Sequence, residues 1–392
     1  MSAGPSSDGP TGDLPFLGED GLPLRREDHL TALREQALAV GTASGLDAIG
    51  VAGAHPFDDV RTEIERRRDE GLHGGMQFTF RNPARSTDPS RILAGARSLV
   101  VGARRTPAAR LAEVGAGRMR IAAYARHDHY ADLRAALQAV AERLRSAGWS
   151  AIVVADDNAL VDRAAAVRAG VGWWGRNANV LVPGRGSWFV LGSVVTDAPL
   201  TPSTPVEDGC GTCRQCLDGC PTGAIGDNGV IDARRCLAWL VQAPGDIPRE
   251  FREALGGRLY GCDECQEVCP VGRPERVTEG RVDHGADVEA SAVLDATDDE
   301  LLERFGRWYI ADRDPRYLRR NALVALGNTG SPDDPGVERR MQRALADPDP
   351  LIRSHAVWAT GRLGRIDLLD GVDDSAPEVA EELAVLTGRV GP

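Results

Sequence analysis

Apolar residues in the first half of the chain recur at steps of three and four, which is the spacing of amphipathic helices. This pattern predicts helices near 27–39, 58–70, 131–147 and 160–169. Short uninterrupted apolar runs predict buried strands at 98–103, 150–155 and 188–196. Because helices and strands alternate over 26–205, we expect a mixed α/β or α+β domain in this region.

The last part of the chain repeats itself with a period of 34 residues. The segments 318–330 and 352–364 match at Arg319/Arg353, Ala322/Ala356, Ala325/Ala359, Gly327/Gly361 and Gly330/Gly364. Each segment follows a D-x-D-P turn. We therefore expect HEAT-like α-helical repeats over 298–388, after an acidic linker near 278–298.

Composition removes several classes of function. The net charge of −12 argues against a generally basic coat for nucleic acid and leaves only a local basic patch possible. All 46 basic residues are arginines and the chain contains no lysine. Lysine Schiff-base chemistry and a P-loop are therefore excluded.

The first 25 residues are rich in Gly, Pro and Ser and contain no apolar core of a signal peptide, so we expect 1–25 to be a disordered tail. No stretch approaches the 18 or so apolar residues of a membrane span. We expect a cytoplasmic monomer with no membrane partner.

All eight cysteines fall between 210 and 269, which suits one metal-bearing module rather than a set of disulfides. The first four, followed by Pro221, have the C-x2-C-x2-C-x3-C-P spacing of bacterial ferredoxins. A second, shorter motif ends in Cys269-Pro270, and Cys236 stands alone between the two motifs. We expect a ferredoxin-like module over 206–275 that holds two 4Fe-4S clusters.

In ferredoxins with two clusters, the Cys-Pro cysteine of each motif crosses to the other cluster. This rule assigns one cluster to Cys210, Cys213, Cys216 and Cys269. It assigns the second cluster to Cys262, Cys265, Cys220 and Cys236, with Cys236 replacing the missing close cysteine of the second motif. The alternative is two structural zinc sites, but three cysteines within seven residues crowd a single tetrahedral ion.

The segment 170–175, GVGWWG, matches the G-x-G-x-x-G pattern of dinucleotide-binding proteins. That pattern needs a preceding strand and a following helix. Here it follows a predicted helix and precedes an apolar run, so we interpret it as a glycine turn.

The segment 155–197 followed by the cysteine module resembles the epoxyqueuosine reductase family. The resemblance extends over about 46–364 and includes 45–52, the YARHDHY segment at 124–130 and the helical tail. It implies an oxidoreductase that removes the epoxide oxygen from epoxyqueuosine at the tRNA wobble position. The implied cofactors are two 4Fe-4S clusters and base-off cobalamin bound in the N-terminal α/β domain. The implied partners are a tRNA with a GUN anticodon and a low-potential electron donor such as flavodoxin or ferredoxin.

The resemblance also implies roles for individual residues. Opening an epoxide leaves an alkoxide that needs a proton, and the family's proton donor aligns with Asp156. Without the resemblance, Asp156 and Asp157 would be an ordinary solvated loop or helix cap. The remaining substrate- or cofactor-binding candidates are Arg163, Tyr124, Asp128, Arg176, Ser187 and Trp188.

Three of these candidates lie in segments where the chain departs from the family. The family usually has Y-A-x-G-x-D-Y-H where this chain has YARHDHY, so Tyr124 and Asp128 match but a glycine is missing. Arg176 stands where many relatives have lysine, which keeps the charge and changes the shape.

A basic and aromatic segment at the start of the repeat region is a candidate tRNA surface, since arginines neutralise phosphates and aromatic rings stack on unpaired bases. It comprises Arg304, Arg307, Arg313, Arg316, Arg319 and Arg320, with Trp308, Tyr309 and Tyr317. The alternative is a solvated helix face with the aromatic residues in the repeat core.

Two other functions compete with the tRNA-modifying enzyme. One is a reductive dehalogenase-like enzyme that uses the same cofactors on a small molecule. The other is an electron-transfer module without catalytic activity, although such a carrier needs no long domain before its clusters.

Overall fold

The computed structural model describes residues 26–106, 115–272 and 285–388, so the predicted tail at 1–25 lies outside the described residues. The helices are α1 (Arg26–Ala43), α2 (Asp58–Asp69), α3 (Phe78–Arg81), α4 (Pro83–Ser86), α5 (Ala123–Arg126), α6 (His129–Ser146), α7 (Asp162–Arg168), α8 (Gln215–Asp218), α9 (Leu237–Leu240), α10 (Arg249–Leu255), α11 (Glu264–Glu267), α12 (Ser291–Leu294), α13 (Asp298–Phe305), α14 (Arg316–Thr329), α15 (Pro335–Leu345), α16 (Pro350–Arg362) and α17 (Pro377–Leu386). The strands are β1 (Ala48–Gly53), β2 (Ser98–Arg105), β3 (Arg118–Ile121), β4 (Ala151–Ala155), β5 (Trp173–Trp174), β6 (Val180–Leu181), β7 (Phe189–Thr196), β8 (Arg258–Tyr260) and β9 (Asp287–Glu289).

A four-stranded antiparallel sheet, in the order β1-β2-β7-β4, forms the centre of the N-terminal region. Successive residues of a strand point to opposite faces of the sheet. Both faces of this sheet are buried, because helices pack on each of them. Val194 packs with α1 and α6 on one face, and Val195 packs with α7 on the other. The predicted helices and strands of this region are confirmed, with ends shifted by a few residues.

A smaller sheet, in the order β8-β3-β9, joins segments that the sequence assigned to different parts of the chain. β3 lies in the predicted N-terminal domain, and it pairs in parallel with β8 from the predicted cysteine module. It pairs antiparallel with β9, which lies in the region expected to be a linker. The linker prediction is therefore wrong for 285–298, because this region forms β9 and α12 and buries Val288 and Val293.

The C-terminal region is helical, from α13 to α17. α14 packs on α16, and a Cβ at Gly327 would lie 2.8 Å from the Ala359 Cα. Two positions of the repeat thus meet where these helices pack closely. The designation as HEAT-like repeats stays a prediction. Within the described residues, no helix combines the length and the apolar character needed to cross a bilayer.

The structure corrects the expected tRNA surface on α14 and the segment before it. Trp308, Tyr317 and Arg320 are buried, and Trp308 stacks on Tyr260. The Arg320 guanidinium donates hydrogen bonds to the backbone oxygens of Leu240, Ala243 and Gly245. Tyr317 and Arg320 lie on α14, Trp308 lies in the segment before it, and all three side chains belong to the core.

The other members of that set differ in their surroundings. Arg316 and Arg319 form ion pairs, Arg316 with Asp314 and Asp349 and Arg319 with Asp298. Arg307 donates a hydrogen bond to the backbone oxygen of Ala125. The exposed members of the set are Arg304, Arg307, Arg313 and Tyr309.

We predict that Arg320→Met lowers the free energy of unfolding by about 3 kcal/mol or more. Each buried acceptor that loses its donor costs about 1–3 kcal/mol, and Arg320 serves several backbone oxygens at once. Chemical denaturation measures the loss. Arg304→Met is the control, because Arg304 is exposed. Equal stability of the two variants would contradict the buried role of Arg320.

Candidate active site and cluster module

The candidate acid Asp156 is the first residue after β4, and its backbone has a φ of 57°. This left-handed conformation is strained for a residue with a side chain, although Asp and Asn adopt it more readily than most. The residue before it, Ala155, pairs with Gly192 of β7. Strained residues often lie at functional sites, so the geometry singles out Asp156 rather than its neighbour.

The surroundings of Asp156 favour its protonated form. Desolvation raises the pKa of its carboxyl, and the negative charges of Asp128 and Asp157 add to the rise. The guanidinium of Arg134 opposes them and lowers the pKa. The side chain remains exposed, so it is accessible to a substrate. Asp157 instead faces its own turn, where its Oδ1 accepts a hydrogen bond of 2.8 Å from the Ala159 backbone N–H.

A second carboxyl, Asp162 at the start of α7, lies deeper beside Asp156. Its Oδ1 is buried and has no hydrogen-bond partner among the described residues. Burial raises the pKa of this carboxyl well above its ordinary range, and the charge of Asp156 raises it further. Asp162 is not among the residues predicted from the sequence, although it lies one residue before the predicted Arg163.

Two tyrosines of the YARHDHY segment line the same region. Burial raises the pKa of Tyr130, and the charges of Asp156 and Asp162 contribute. Burial also raises the pKa of Tyr124, whose hydroxyl accepts a hydrogen bond of 3.2 Å from the Gln242 side chain. The predicted residue Tyr124 is therefore part of this buried polar region.

The other predicted residue of that segment, Asp128, caps α6. Its Oδ1 accepts a hydrogen bond of 2.8 Å from the Ala131 backbone N–H. Its charge also reaches Asp156. Asp128 thus has a structural role as a helix cap and an electrostatic effect on the candidate acid.

Arg163 lies between the carboxyl region and the cysteines. Its positive charge lowers the pKa of Tyr130 and that of Cys236, although burial raises both overall. The side chain is exposed. Arg163 is therefore in electrostatic reach of both the candidate acid region and one thiol.

The eight cysteines form two groups in space. Cys210, Cys213, Cys216 and Cys269 line a common pocket. In the other group, burial raises the pKa of the Cys265 thiol, and the charges of Cys262, Cys236 and Cys220 raise it further. Each group is thus drawn from both motifs, and Cys236 lies with the second group. Among the described residues, no three His, Cys, Asp or Glu side chains converge to hold one metal ion.

Hydrogen bonds reach two of these sulfurs from neighbouring elements. The Trp173 indole N–H donates to the Cys210 Sγ at 3.5 Å, and the Ala224 backbone N–H donates to the Cys220 Sγ at 3.3 Å. Trp173 belongs to the hairpin of β5 and β6, which follows the turn at Gly170. The glycine-turn interpretation of GVGWWG fits Gly170, whereas Trp173 and Trp174 form β5, and the hairpin supports the cysteine module.

The remaining predicted residues lie where the sheet domain contacts the cysteine module. Arg176 donates to the Gly211 oxygen at 2.9 Å, and the Ser187 hydroxyl donates to the Gln266 side chain at 3.1 Å. The Trp188 indole N–H donates to the Gly272 oxygen at 2.8 Å. The polar groups of these three residues therefore hold the module against the sheet domain.

The comparisons with known proteins agree with this arrangement. Residues 209–272 match the family model described as "4Fe-4S double cluster binding domain", so this region is a double-cluster domain. The chain is 32% identical over 363 residues to the epoxyqueuosine reductase of Bacillus anthracis, covering 88% of this chain and 91% of that protein. It is 31% identical to the Bacillus subtilis enzyme, covering 85% of this chain and 88% of that protein.

Solved structures show the same relationship. The epoxyqueuosine reductase of Streptococcus thermophilus has a TM-score of 0.81 and 27% identity, covering 91% of this chain and 98% of that chain. A second epoxyqueuosine reductase, crystallised with an epoxyqueuosine-modified tRNA-Tyr stem loop, has a TM-score of 0.80 and 29% identity, covering 91% of this chain and 99% of that chain. The resemblance expected from the sequence is confirmed, and the chain belongs to the epoxyqueuosine reductase family.

Proposed function

We propose that this chain reduces epoxyqueuosine to queuosine at the wobble position of tRNAs with GUN anticodons, using two 4Fe-4S clusters and base-off cobalamin. The observation that carries the proposal is the match along nearly the whole chain to an epoxyqueuosine reductase that holds an epoxyqueuosine-modified stem loop. Flavodoxin or ferredoxin would supply the electrons to a cytoplasmic monomer.

The chemistry requires an acid at the site. Removing an epoxide oxygen as water restores the carbon–carbon double bond and consumes two electrons and two protons. Asp156 is the proposed donor of the first proton, because desolvation raises the pKa of its carboxyl and its side chain is exposed. Asp162 is placed to hold a second proton, since the pKa of its buried carboxyl is raised and it lies beside Asp156.

The residues present fit a corrin between Asp156 and the cysteines. The buried Asp162 Oδ1 has no donor among the described residues, and the amide groups at the edge of a corrin supply donors. Cobalamin bound there would supply low-potential electrons for the reduction. Arg163 would orient the substrate or cofactor from its position near both the carboxyls and Cys236.

The two groups of thiols suit two clusters. Cys210, Cys213, Cys216 and Cys269 would hold one 4Fe-4S cluster, and Cys220, Cys236, Cys262 and Cys265 would hold the other. Support comes from the shared pocket of the first group and the mutual charge effects in the second. Because Arg163 is near Cys236 and near the carboxyl region, the second cluster is the one next to the reaction.

A gene deletion tests both the proposed function and the role of Asp156 as the acid. Cells without this gene should accumulate epoxyqueuosine in tRNA, measured by mass spectrometry of nucleosides, and the intact gene should restore queuosine. A gene that carries Asp156→Asn should fail to restore queuosine. Asn tolerates the left-handed backbone conformation as Asp does, but its amide cannot donate a proton at ordinary pH. The purified variant should react about 10²–10⁴-fold more slowly.

Asp157→Asn is the matched control, since an amide oxygen can still accept from the Ala159 N–H. It should restore queuosine. Unaltered nucleosides in the deletion strain would refute the function. Equal losses in the two variants would refute the assignment of the acid.

The cluster assignment predicts a divided loss of iron. Anaerobically prepared protein should contain about eight iron atoms, as two 4Fe-4S clusters require. Cys213→Ala and Cys236→Ala should each lower this to about four, and the remaining cluster should have a different electron paramagnetic resonance spectrum in each variant. The double variant should lose both clusters. Full iron content in Cys236→Ala would remove Cys236 from the ligands.

The charges around Asp156 predict opposite shifts in the pH profile. An acid catalyst loses activity as pH rises through its pKa. Arg134 lowers the pKa of Asp156, so Arg134→Gln should move the loss of activity to higher pH. Asp128 raises that pKa, so Asp128→Asn, which can still cap α6, should move the loss to lower pH.

The control is Arg143→Gln, because Arg143 lies on the same helix and bonds Gln36 instead. Measurements of kcat/KM against pH should show no shift for this variant. Shifts of the same sign in Arg134→Gln and Asp128→Asn would contradict Asp156 as the titrating acid.

A further inference from the structure

An open cleft with a volume of about 240 Å³ lies beside the candidate acid and takes no part in the roles described above. It is lined by Phe78, Arg81, Asn82, Arg85, Ser86 and Asn158. Five of these residues come from α3, α4 and the residue between them, and Asn158 comes from the turn that follows Asp156. The cleft is therefore adjacent to the reaction centre.

Two arginines of the cleft have no partner among the residues that the structure describes. In the described parts of the chain, the guanidinium groups of Arg81 and Arg85 form no hydrogen bond or ion pair. On nearby α2, by contrast, Arg66 and Arg67 both bind Glu63. Two neighbouring cations without a counter-ion, in a cleft with amide side chains, suit an anion that brings several acceptor oxygens.

An exposed pair of aromatic rings, which we call the aromatic ledge, lies at the edge of this cleft. Phe78 and Tyr309 are 38% and 39% exposed, and their ring centroids are 5.0 Å apart. Trp239 stacks under Tyr309 at 6.2 Å and donates its indole N–H to the Gly74 oxygen at 2.8 Å. The ledge is thus supported from beneath, and it leaves large ring surfaces open to solvent.

A direct hydrogen bond fixes the cleft relative to the acid. The Ser86 hydroxyl, which is buried, donates to the Asn158 backbone oxygen at 2.6 Å. Asn158 is two residues after Asp156. A molecule bound to Arg81 and Arg85 is therefore held at a defined distance from the Asp156 carboxyl.

We propose that this cleft binds a backbone phosphodiester of the RNA strand next to the reacting nucleotide, while the aromatic ledge stacks on an unpaired neighbouring base. Cationic groups beside exposed rings are the combination that single-stranded RNA recognises. An acidic protein partner would use the cations and leave the rings unexplained. The inference rests on the proposed function, because it takes tRNA as the substrate.

Binding of a fluorescently labelled, unmodified anticodon stem loop tests the inference. Arg81→Gln with Arg85→Gln should weaken binding and reduce the slope of log affinity against log salt by about 0.7, which is the contribution of one single-strand phosphate contact. Phe78→Ala should weaken binding about fivefold to a hundredfold, as expected for a lost base stack. Its salt slope should not change, because no charge is lost.

Matched variants separate this outcome from general effects. Arg339→Gln removes an exposed arginine of α15 and should leave affinity and slope unchanged. Arg81→Lys with Arg85→Lys should retain the slope, because the charge remains. All substituted side chains are exposed, so thermal unfolding should be the same in every variant.

The results distinguish the failures of the two proposals. Wild-type protein that does not bind the stem loop would overturn the proposed function and this inference together. Wild-type binding with glutamine variants that behave like Arg339→Gln would overturn the cleft alone. Cobalamin also carries a phosphodiester, so loss of cobalamin uptake with intact RNA binding in the glutamine variants would assign the cleft to the cofactor and overturn the inference.

Discussion

The helix α6 and the strands β4 and β7 approach one another closely at Gly192. This contact fixes the point at which β4 ends, and the position of Asp156 depends on that point. A Cβ at Gly192 would lie 2.8 Å from the Ala155 Cβ and 2.8 Å from the Leu137 Cδ1. Any side chain there would push β4 or α6 away. Because Ala155 is held in register opposite Gly192, Asp156 begins its left-handed turn at a fixed point beside Asp162 and Tyr130.

A second close contact, between Gly186 and Gly272, positions the cysteine module against the sheet domain. A Cβ at Gly186 would lie 2.7 Å from the Gly272 Cα, so the backbone after β6 touches the end of the cysteine module. The hydrogen bonds from Arg176, Ser187 and Trp188 hold the same contact. Residues that the family resemblance placed around the cofactor thus also align the cysteines with the sheet.

The sequence predicts local structure in the N-terminal region well, and the reason is physical. Amphipathic periodicity is a property of one segment, so the helices and buried strands of the N-terminal region could be predicted from it. The crossing of Cys269 and Cys220 between the two groups followed from the spacing of the motifs. The family resemblance drew attention to Asp156, and the strained φ of that residue is an independent structural signal.

Features that depend on contacts between distant segments could not be predicted. Arg320 follows an exposed-looking basic run, yet its guanidinium binds backbone oxygens about 75–80 residues away. The linker prediction failed because β9 completes a sheet with β3 and β8. The aromatic ledge joins Phe78 and Tyr309, which no local pattern connects.

The central claim is that this chain removes the epoxide oxygen from epoxyqueuosine in RNA. The most direct measurement incubates anaerobically prepared protein, loaded with iron–sulfur clusters and cobalamin, with an epoxyqueuosine-containing stem loop and a low-potential reductant. Mass spectrometry then follows the modified nucleoside. We expect a product that is lighter by one oxygen atom and coelutes with queuosine. Unchanged epoxyqueuosine, with both clusters and cobalamin verified in the same preparation, would contradict it.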